Sequence, residues 1–347
     1  MAAAITFNRM TFNQKLIIRA AITLALALIL AASLVFSPER VRGRQSAYAW
    51  MESRLADEAG RVEIRGGTET TLVRRGDAWF AEYSGKEYPA NPGAIDDLFK
   101  ALTARGIYTP RGNAASSHER LGLTDETASW ITVSGDAGGT PLLTLLIGGS
   151  DATGKEVYYR KAGQDEVRSG DNTIASFLTY SRTAWYDLKI FPDGGTLNTE
   201  QVYRITVIAP PPAESGEEAA GENAPPPPLV ILRAAEGWMV EGLAPEETDA
   251  NRVETFVRQL LESSADDYVP EMNAGEAVFN EGRILIEFSG LPARTIRLGP
   301  PLAYSEEDGS VTRRGAVQNN SPYVFALSSW NLSRLFRDKE YFKRPAD

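Results

Sequence analysis

Cysteine is absent from this sequence of 347 residues, and histidine occurs once, as His118. The absence of cysteine excludes disulfides, thiol catalysis, cysteine-ligated metals and a lipidated N-terminal cysteine. With one histidine, the chain alone builds no metal site that needs two imidazole ligands. The sequence therefore predicts no metal site and no cofactor.

Positive charge is scarce beyond the N-terminus. Residues 1–44 carry six basic side chains and one acidic one, whereas the other 303 residues carry 30 basic and 45 acidic side chains. So acidic a body repels nucleic-acid phosphates and anionic lipid headgroups. Neither is expected as a direct partner.

A long apolar run lies near the N-terminus. Ala20–Phe36 contains no charged residue. Extended across Arg19, whose long side chain reaches the interface, the run covers a hydrocarbon core of about 30 Å. We predict a transmembrane anchor at 16–37, a short cytoplasmic tail at 1–15 and a juxtamembrane connection at 38–59.

A cleaved signal peptide is the alternative for the same run, because Ala31, Ala32 and Ser33 are small enough for a cleavage site. The apolar run exceeds the usual signal core of about 7–15 residues, which favours the anchor. Large domains after a first span are translocated largely regardless of their charge. We therefore expect the body of the chain on the extracytoplasmic side of a bacterial inner membrane.

Two parts of the sequence repeat one order of elements. Each has two alternating strands, a short strand opened by a tryptophan (Trp79 or Trp238), a polar loop and an amphipathic helix. The expected inner faces of the helices are Ile95, Leu98, Phe99 and Leu102, and Val253, Phe256, Val257, Leu260 and Leu261. Asn91 and Asp249 are the expected N-caps.

This repetition predicts an α+β fold in which the anchor precedes two tandem modules of antiparallel or mixed sheet with packed helices, at 60–195 and 196–347. A stretch rich in proline and glutamate at 209–228 lies between the first two strands of the second module. We interpret it as a hairpin-loop insertion, and place the module boundary near 192–198.

Motifs with chemical meaning are few. The segment 148–156 spaces Gly149, Gly154 and Lys155 as a phosphate-binding loop does, but Glu156 replaces the Mg²⁺-binding hydroxyl and a strand follows, so a hairpin turn is favoured. His118, in a polar stretch without a nucleophile elbow, is expected to be a surface residue. We expect no catalytic residue, and hence no enzyme.

Pairs of acidic residues do not point to a glycosidase, because neighbouring helical side chains diverge by about 100°. They are expected on solvated faces and turns, and comprise Asp96-Asp97, Glu246-Glu247, Asp266-Asp267 and Glu306-Glu307-Asp308. Trp79 and Trp238 are expected to pack between hairpin and helix. Tyr158, Tyr159 and Tyr323 are the aromatics expected to be exposed for stacking on a sugar.

Several short segments resemble one family. The N-terminal span, "YPAN" before an "L..LF..L" helix, "LGL" at 121–123, "LLIGG" and "VYYR" are similar to the domain-of-unknown-function 4340 family. The resemblance implies a bacterial accessory or scaffold subunit, with permease or companion subunits of a gliding-motility-type ABC transporter as partners. The alternative is a cell-envelope module that binds glycan or peptide in a cleft between the two repeats.

Overall fold

The computed structural model describes residues 21–27, 47–135, 139–210, 227–275, 279–302, 313–319 and 321–345. Of the predicted anchor at 16–37, only 21–27 falls within these ranges, and it is helical. No helix in the described ranges is long and apolar enough to span a bilayer. The acidic run 306–308 lies outside the described residues.

Strands make up most of the regular structure. In the first half of the chain they are β1 (Ala47–Ala49), β2 (Arg61–Arg65), β3 (Thr70–Arg75), β4 (Ala78–Tyr83), β5 (Lys86–Pro89), β6 (Arg105–Ile107), β7 (Thr109–Gly112), β8 (Ser129–Ser134), β9 (Pro141–Ser150), β10 (Val157–Lys161) and β11 (Val167–Gly170). They continue as β12 (Val202–Ile208), β13 (Leu229–Ala234), β14 (Gly237–Val240), β15 (Asp267–Tyr268), β16 (Gly282–Phe288), β17 (Arg294–Leu302), β18 (Arg313–Gln318) and β19 (Phe325–Ser328).

Besides the helical segment 21–27, the α-helices are α1 (Leu55–Glu58), α2 (Pro92–Thr103), α3 (Ala250–Leu261) and α4 (Ser329–Leu335). All nine residues predicted for the inner faces of α2 and α3 are buried, which confirms the predicted helical period. The predicted N-caps are also confirmed. Asn91 Oδ1 accepts a hydrogen bond from Gly93 N at 3.0 Å, and the carboxylate of Asp249 accepts from the amides of Asn251 and Arg252.

Two large sheets and one small sheet result. The nine-stranded sheet has the order β5-β4-β3-β2-β8-β9-β10-β11-β7, the eight-stranded sheet has the order β14-β13-β12-β16-β17-β18-β19-β15, and β1 pairs with β6. The strand pairs run mostly antiparallel. These few helices and mainly antiparallel sheets confirm the predicted α+β class.

The two large sheets share one strand order. In each, the three strands before the amphipathic helix lie in reverse chain order, the four later strands follow in chain order, and a short strand after the helix closes the far edge. The nine-stranded sheet adds β5 beside β4. The eight-stranded sheet has no such strand beside β14 among the described residues.

The strands on either side of the proline-rich stretch pair with each other. β12 and β13 run antiparallel, with Val207 opposite Leu229. β12 also pairs with β16 on its other side. Residues 209–228 therefore connect two neighbouring strands of the eight-stranded sheet.

By packing, the chain divides into two compact units. The smaller unit comprises the described part of Met1–Glu58, with Leu98–Thr132 and Pro141–Phe177. The larger unit comprises Ala59–Asp97, Val133–Thr140 and the described part of Leu178–Asp347. The boundary near 192–198, inferred from sequence repetition, stays a prediction.

Candidate functional site

Four tyrosines pack together inside the larger unit. The ring of Tyr268, on β15, stacks on the ring of Tyr88, on β5, with centroids 4.8 Å apart. The rings of Tyr186 and Tyr323 also contact the ring of Tyr268, with centroid distances of 5.2 and 5.5 Å. We call Tyr88, Tyr186, Tyr268 and Tyr323 the tyrosine junction. It joins segments that are up to 235 residues apart in sequence (Tyr88 to Tyr323).

Burial keeps the junction uncharged. Loss of solvent is the main cause that raises the pKa of Tyr88, Tyr186, Tyr268 and Tyr323 above the ordinary value of tyrosine. The Tyr268 hydroxyl donates a hydrogen bond to the backbone carbonyl of Asp187 at 2.6 Å. The junction is thus a packed cluster of phenols that are neutral at neutral pH.

An ion pair lies beside the tyrosines. Arg182 Nη2 donates a hydrogen bond to the carboxylate of Asp267. Asp267 is buried, with 4% of its surface exposed. Asp267 Oδ1 also accepts from Tyr268 N at 2.8 Å, and the Arg182 guanidinium lies 4.1 Å from the ring centre of Tyr83. Because Arg182 contacts both Asp267 and Tyr83, this ion pair fixes the positions of the segments that carry these three residues.

The prediction of a solvated Asp266-Asp267 pair is therefore wrong. Asp266 accepts hydrogen bonds from Ser328 N at 2.7 Å and Asn331 Nδ2 at 2.8 Å at the start of α4, and Asp267 is buried against Arg182. Sequence reasoning missed this because the partners lie 62 to 85 residues away. The pairs Asp96-Asp97 and Glu246-Glu247 are exposed, as predicted.

Backbone hydrogen bonds join the segment that follows Tyr186 to the residues just after α3. Ile190 N donates to the Ser263 carbonyl at 2.9 Å, and Lys189 forms an antiparallel bridge with Ser264. Lys86 Nζ also donates to the Pro270 carbonyl at 2.7 Å. Backbone pairing and side-chain packing thus hold the same segments together.

A groove of about 590 Å³ lies in the smaller unit beside α1 and β9. Met51, Leu55 and Leu143 give it apolar walls, and Glu52 and Lys161 give it charge. The groove residues between 51 and 55 lie in the segment 38–59, which the sequence predicts to be the juxtamembrane connection. No sequence signal indicated the groove, because β9 follows α1 by some 80 residues.

Lys161 is held in place at this groove. Its Nζ donates to the Trp50 carbonyl at 2.7 Å and lies 5.3 Å from the centre of the indole ring. Burial lowers the pKa of Lys161, while Glu52 and Glu166 oppose the shift. The amine is thus held by a carbonyl and an aromatic ring, both of which belong to Trp50.

The single histidine is buried, and the prediction of a surface residue is wrong. His118 is 8% exposed, and its Nε2 lies 3.1 Å from the Asp165 carbonyl oxygen. The backbone of His118 accepts from Leu123 N at 2.8 Å in the turn that leads to the buried Leu123. The residues around His118 are polar and predicted a solvated loop, but they form a packed turn. In this turn the imidazole donates a hydrogen bond to a backbone carbonyl.

Of the three tyrosines predicted to be exposed, one is fully buried and two are half-buried. Tyr159 is fully buried and donates to the Asp171 carbonyl at 2.6 Å, so its predicted exposure is wrong. Tyr158 is half-buried against the core around Leu123, and Tyr323 belongs to the tyrosine junction. The predicted packing of Trp238 is confirmed, since its Nε1 donates to Glu254 on α3 at 2.8 Å.

The segment that resembles a phosphate-binding loop is a hairpin turn, as predicted. It joins β9 to β10, and Asp151 Oδ1 accepts from Lys155 N at 3.0 Å and Glu156 N at 3.1 Å. The Glu156 carboxylate accepts from Ser169 and Arg111, which lower its pKa. An aspartate already uses the amides that a phosphate would need.

Within the described ranges, no three His, Asp or Glu side chains lie close enough together to hold a metal ion.

The profile of a family described as "Domain of unknown function (DUF4340)" matches residues 82–278, more than half of the chain. No curated protein and no solved structure matches the chain.

Proposed function

Since this chain belongs to the DUF4340 family, we propose that it is a non-enzymatic accessory or scaffold subunit of an ABC-transporter-type membrane complex. In this proposal residues 16–37 anchor it in the bacterial inner membrane, and the bulk of the chain lies on the extracytoplasmic side. Its partners are permease or companion subunits. The apolar N-terminal run supports the anchor, and the size of the body that follows it supports translocation, which for large domains is largely independent of charge.

The proposal includes a tandem duplication, with repeats at 60–195 and 196–347. The shared strand order of the two large sheets supports it. The tails of the repeats support it as well, because each forms an antiparallel bridge just before the amphipathic helix. Ala90 bridges to Tyr186 in the first repeat, and Thr248 bridges to Lys343 in the second.

The tyrosine junction is the observation that carries the scaffold role. Two of its members, Tyr88 and Tyr186, come from the first proposed repeat, and Tyr268 and Tyr323 come from the second. Buried aromatic contacts of this kind contribute about 0.5–1.5 kcal/mol per pair beyond their burial. A body in which the repeats are joined by packed rings and an ion pair suits a subunit that holds other proteins in place.

Affinity purification of the tagged full chain from its native membrane in mild detergent tests the role. We expect permease or companion transporter subunits to be recovered with it. A variant whose residues 16–37 are replaced by an unrelated transmembrane span is expected to retain them, because the folded body makes the contacts.

An unrelated single-pass protein with the same tag is the control. Repeated recovery of the chain without transporter subunits, while it remains folded, would contradict the proposed function. Loss of the partners on replacing the anchor alone would assign binding to the membrane span instead of the body.

A further inference from the structure

Two cavities in the larger unit occupy matching places in the two large sheets. The first cavity, about 220 Å³, is lined by Thr70, Tyr83 and Arg182 among others. The second cavity, about 660 Å³, is lined by Leu229, Gly242 and Lys339 among others. Each is lined by residues at an end of the first hairpin, at the end of the third strand and in the C-terminal tail of a repeat.

Strand register establishes that the lining residues correspond. Trp79 lies opposite Arg74, and Trp238 lies opposite Arg233. Four residues after each tryptophan come Tyr83 in the first sheet and Gly242 in the second. An aromatic residue thus corresponds to a glycine.

The tails align in the same way. Tyr186 and Lys343 form the equivalent bridges to the segments before the helices. Four residues before each come Arg182 in the first sheet and Lys339 in the second. A cation is therefore present at the same place in both.

In the first sheet the chain supplies an aromatic ring of its own to the cavity wall, and this residue, Tyr83, is 39% exposed. The ring of Tyr83 lies under the Arg182 guanidinium at 4.1 Å, a cation–π contact. In the second sheet Gly242 supplies no ring, and Lys339 is exposed. The second cavity is three times as large as the first.

The walls of the second cavity suit a flat apolar group. Of its lining residues, Val207 and Val230 are buried, Phe336 is half-buried, and Pro227 and Pro228 are exposed. Its volume lies within the range of about 300–1,000 Å³ typical of ligand pockets. The Arg337 guanidinium, also in the wall, already stacks on Tyr341 at 4.5 Å, which leaves Lys339 as the counterpart of Arg182.

We propose that the second cavity receives an aromatic side chain of a partner polypeptide, which occupies the place that Tyr83 occupies in the first sheet. The inference deepens the proposed function and rests on it for the identity of the partner as a protein. Residues 211–226 of the chain contain no aromatic residue and so supply no such ring. Burial of the ring and its contact with Lys339 provide the affinity.

Methyl NMR of the isotope-labelled full chain, titrated with N-acetyl-tyrosinamide, tests the site. We expect the methyl signals of Val207, Leu229 and Val230 to shift. N-acetyl-leucinamide, as the matched probe, is expected to shift them far less at equal concentration. Absence of shifts with the tyrosine probe, or equal shifts with both probes, would overturn the proposal.

Variants locate the effect. Lys339→Ala is expected to weaken the tyrosine probe by about two- to five-fold, from the loss of an exposed cation–π contact of about 0.5–1 kcal/mol, and Lys339→Arg to preserve it. Leu229→Trp, which fills the cavity, is expected to abolish binding. Met239→Trp, on an exposed position of β14 that does not line the cavity, is the matched control and should leave binding unchanged.

One further variant separates the partner from the chain itself. Replacement of residues 211–226 by two glycines should leave binding of the tyrosine probe unchanged. Binding that appears only after this replacement would overturn the proposal, because the chain's own loop would then be the occupant. The titration needs no transporter subunit, so its failure is distinguishable from failure of the co-purification.

Discussion

Gly194→Ala is expected to lower the free energy of unfolding by more than about 3 kcal/mol, beyond the usual cost of overpacking. A Cβ at this position would lie 1.8 Å from the carbonyl oxygen of Leu261, the last residue of α3. The neighbour is backbone, so the segment after the tyrosine junction must move away from α3. Urea denaturation of the full chain, followed by tryptophan fluorescence, measures the loss.

The adjacent glycine provides the control. A Cβ at Gly195 would meet nothing within 4 Å, so Gly195→Ala should change the free energy of unfolding by less than about 0.5 kcal/mol. The two variants differ by one position and carry the same substitution. Equal stabilities would contradict the close approach of this segment to α3.

Tyr268→Ala is expected to cost about 3–5 kcal/mol, as other deletions of buried aromatic rings do. Tyr268 is 4% exposed and contacts the rings of Tyr88, Tyr186 and Tyr323, so its removal leaves a cavity at the centre of the junction. The same urea denaturation measures the effect.

Tyr268→Phe keeps the ring and removes only the hydroxyl that donates to the Asp187 carbonyl. Its expected cost is about 0.5–1.5 kcal/mol, from the loss of one hydrogen bond to a half-buried acceptor. If the alanine variant were no less stable than the phenylalanine variant, the packing of the rings would not be what holds the junction together.

The elements that sequence predicted are those with a local signal. The inner face of α3 follows a period of 3.6 residues, and all five of its predicted members are buried. Asp249 lies at the N-cap because its carboxylate satisfies free amides of the first turn. Helix faces and caps depend on neighbours within a few residues, so the printed sequence contains the necessary information.

The elements that sequence missed depend on distant partners. His118 is buried because Asp165, 47 residues later, presents a carbonyl to it. Asp267 is buried because Arg182 neutralises it, 85 residues earlier. The polar residues next to His118 and Asp267 in the sequence predict that both are exposed. Both become buried only through contacts that the tertiary fold brings together.

The candidate site shows the same limit. No motif included Tyr268, and Tyr88 entered only as the first residue of "YPAN", without a role, because an aromatic residue in a strand is ordinary. The correspondence of Tyr83 with Gly242 is visible only after the strand registers of both sheets are known. Sequence repetition indicated where to compare the two halves, and the register supplied the residues.

The central claim is that the proline-rich stretch interrupts the larger compact unit instead of linking two independently folded parts. A specific protease site placed within residues 211–226 of the full chain, cut and then run on a native sizing column, tests it most directly. The nicked protein should elute as one body that contains both fragments, because β12 remains paired with β13 and β16 and the tyrosine junction spans the cut. The chain without the site, treated with the same protease, is the control. Elution of two independently folded fragments would contradict the claim.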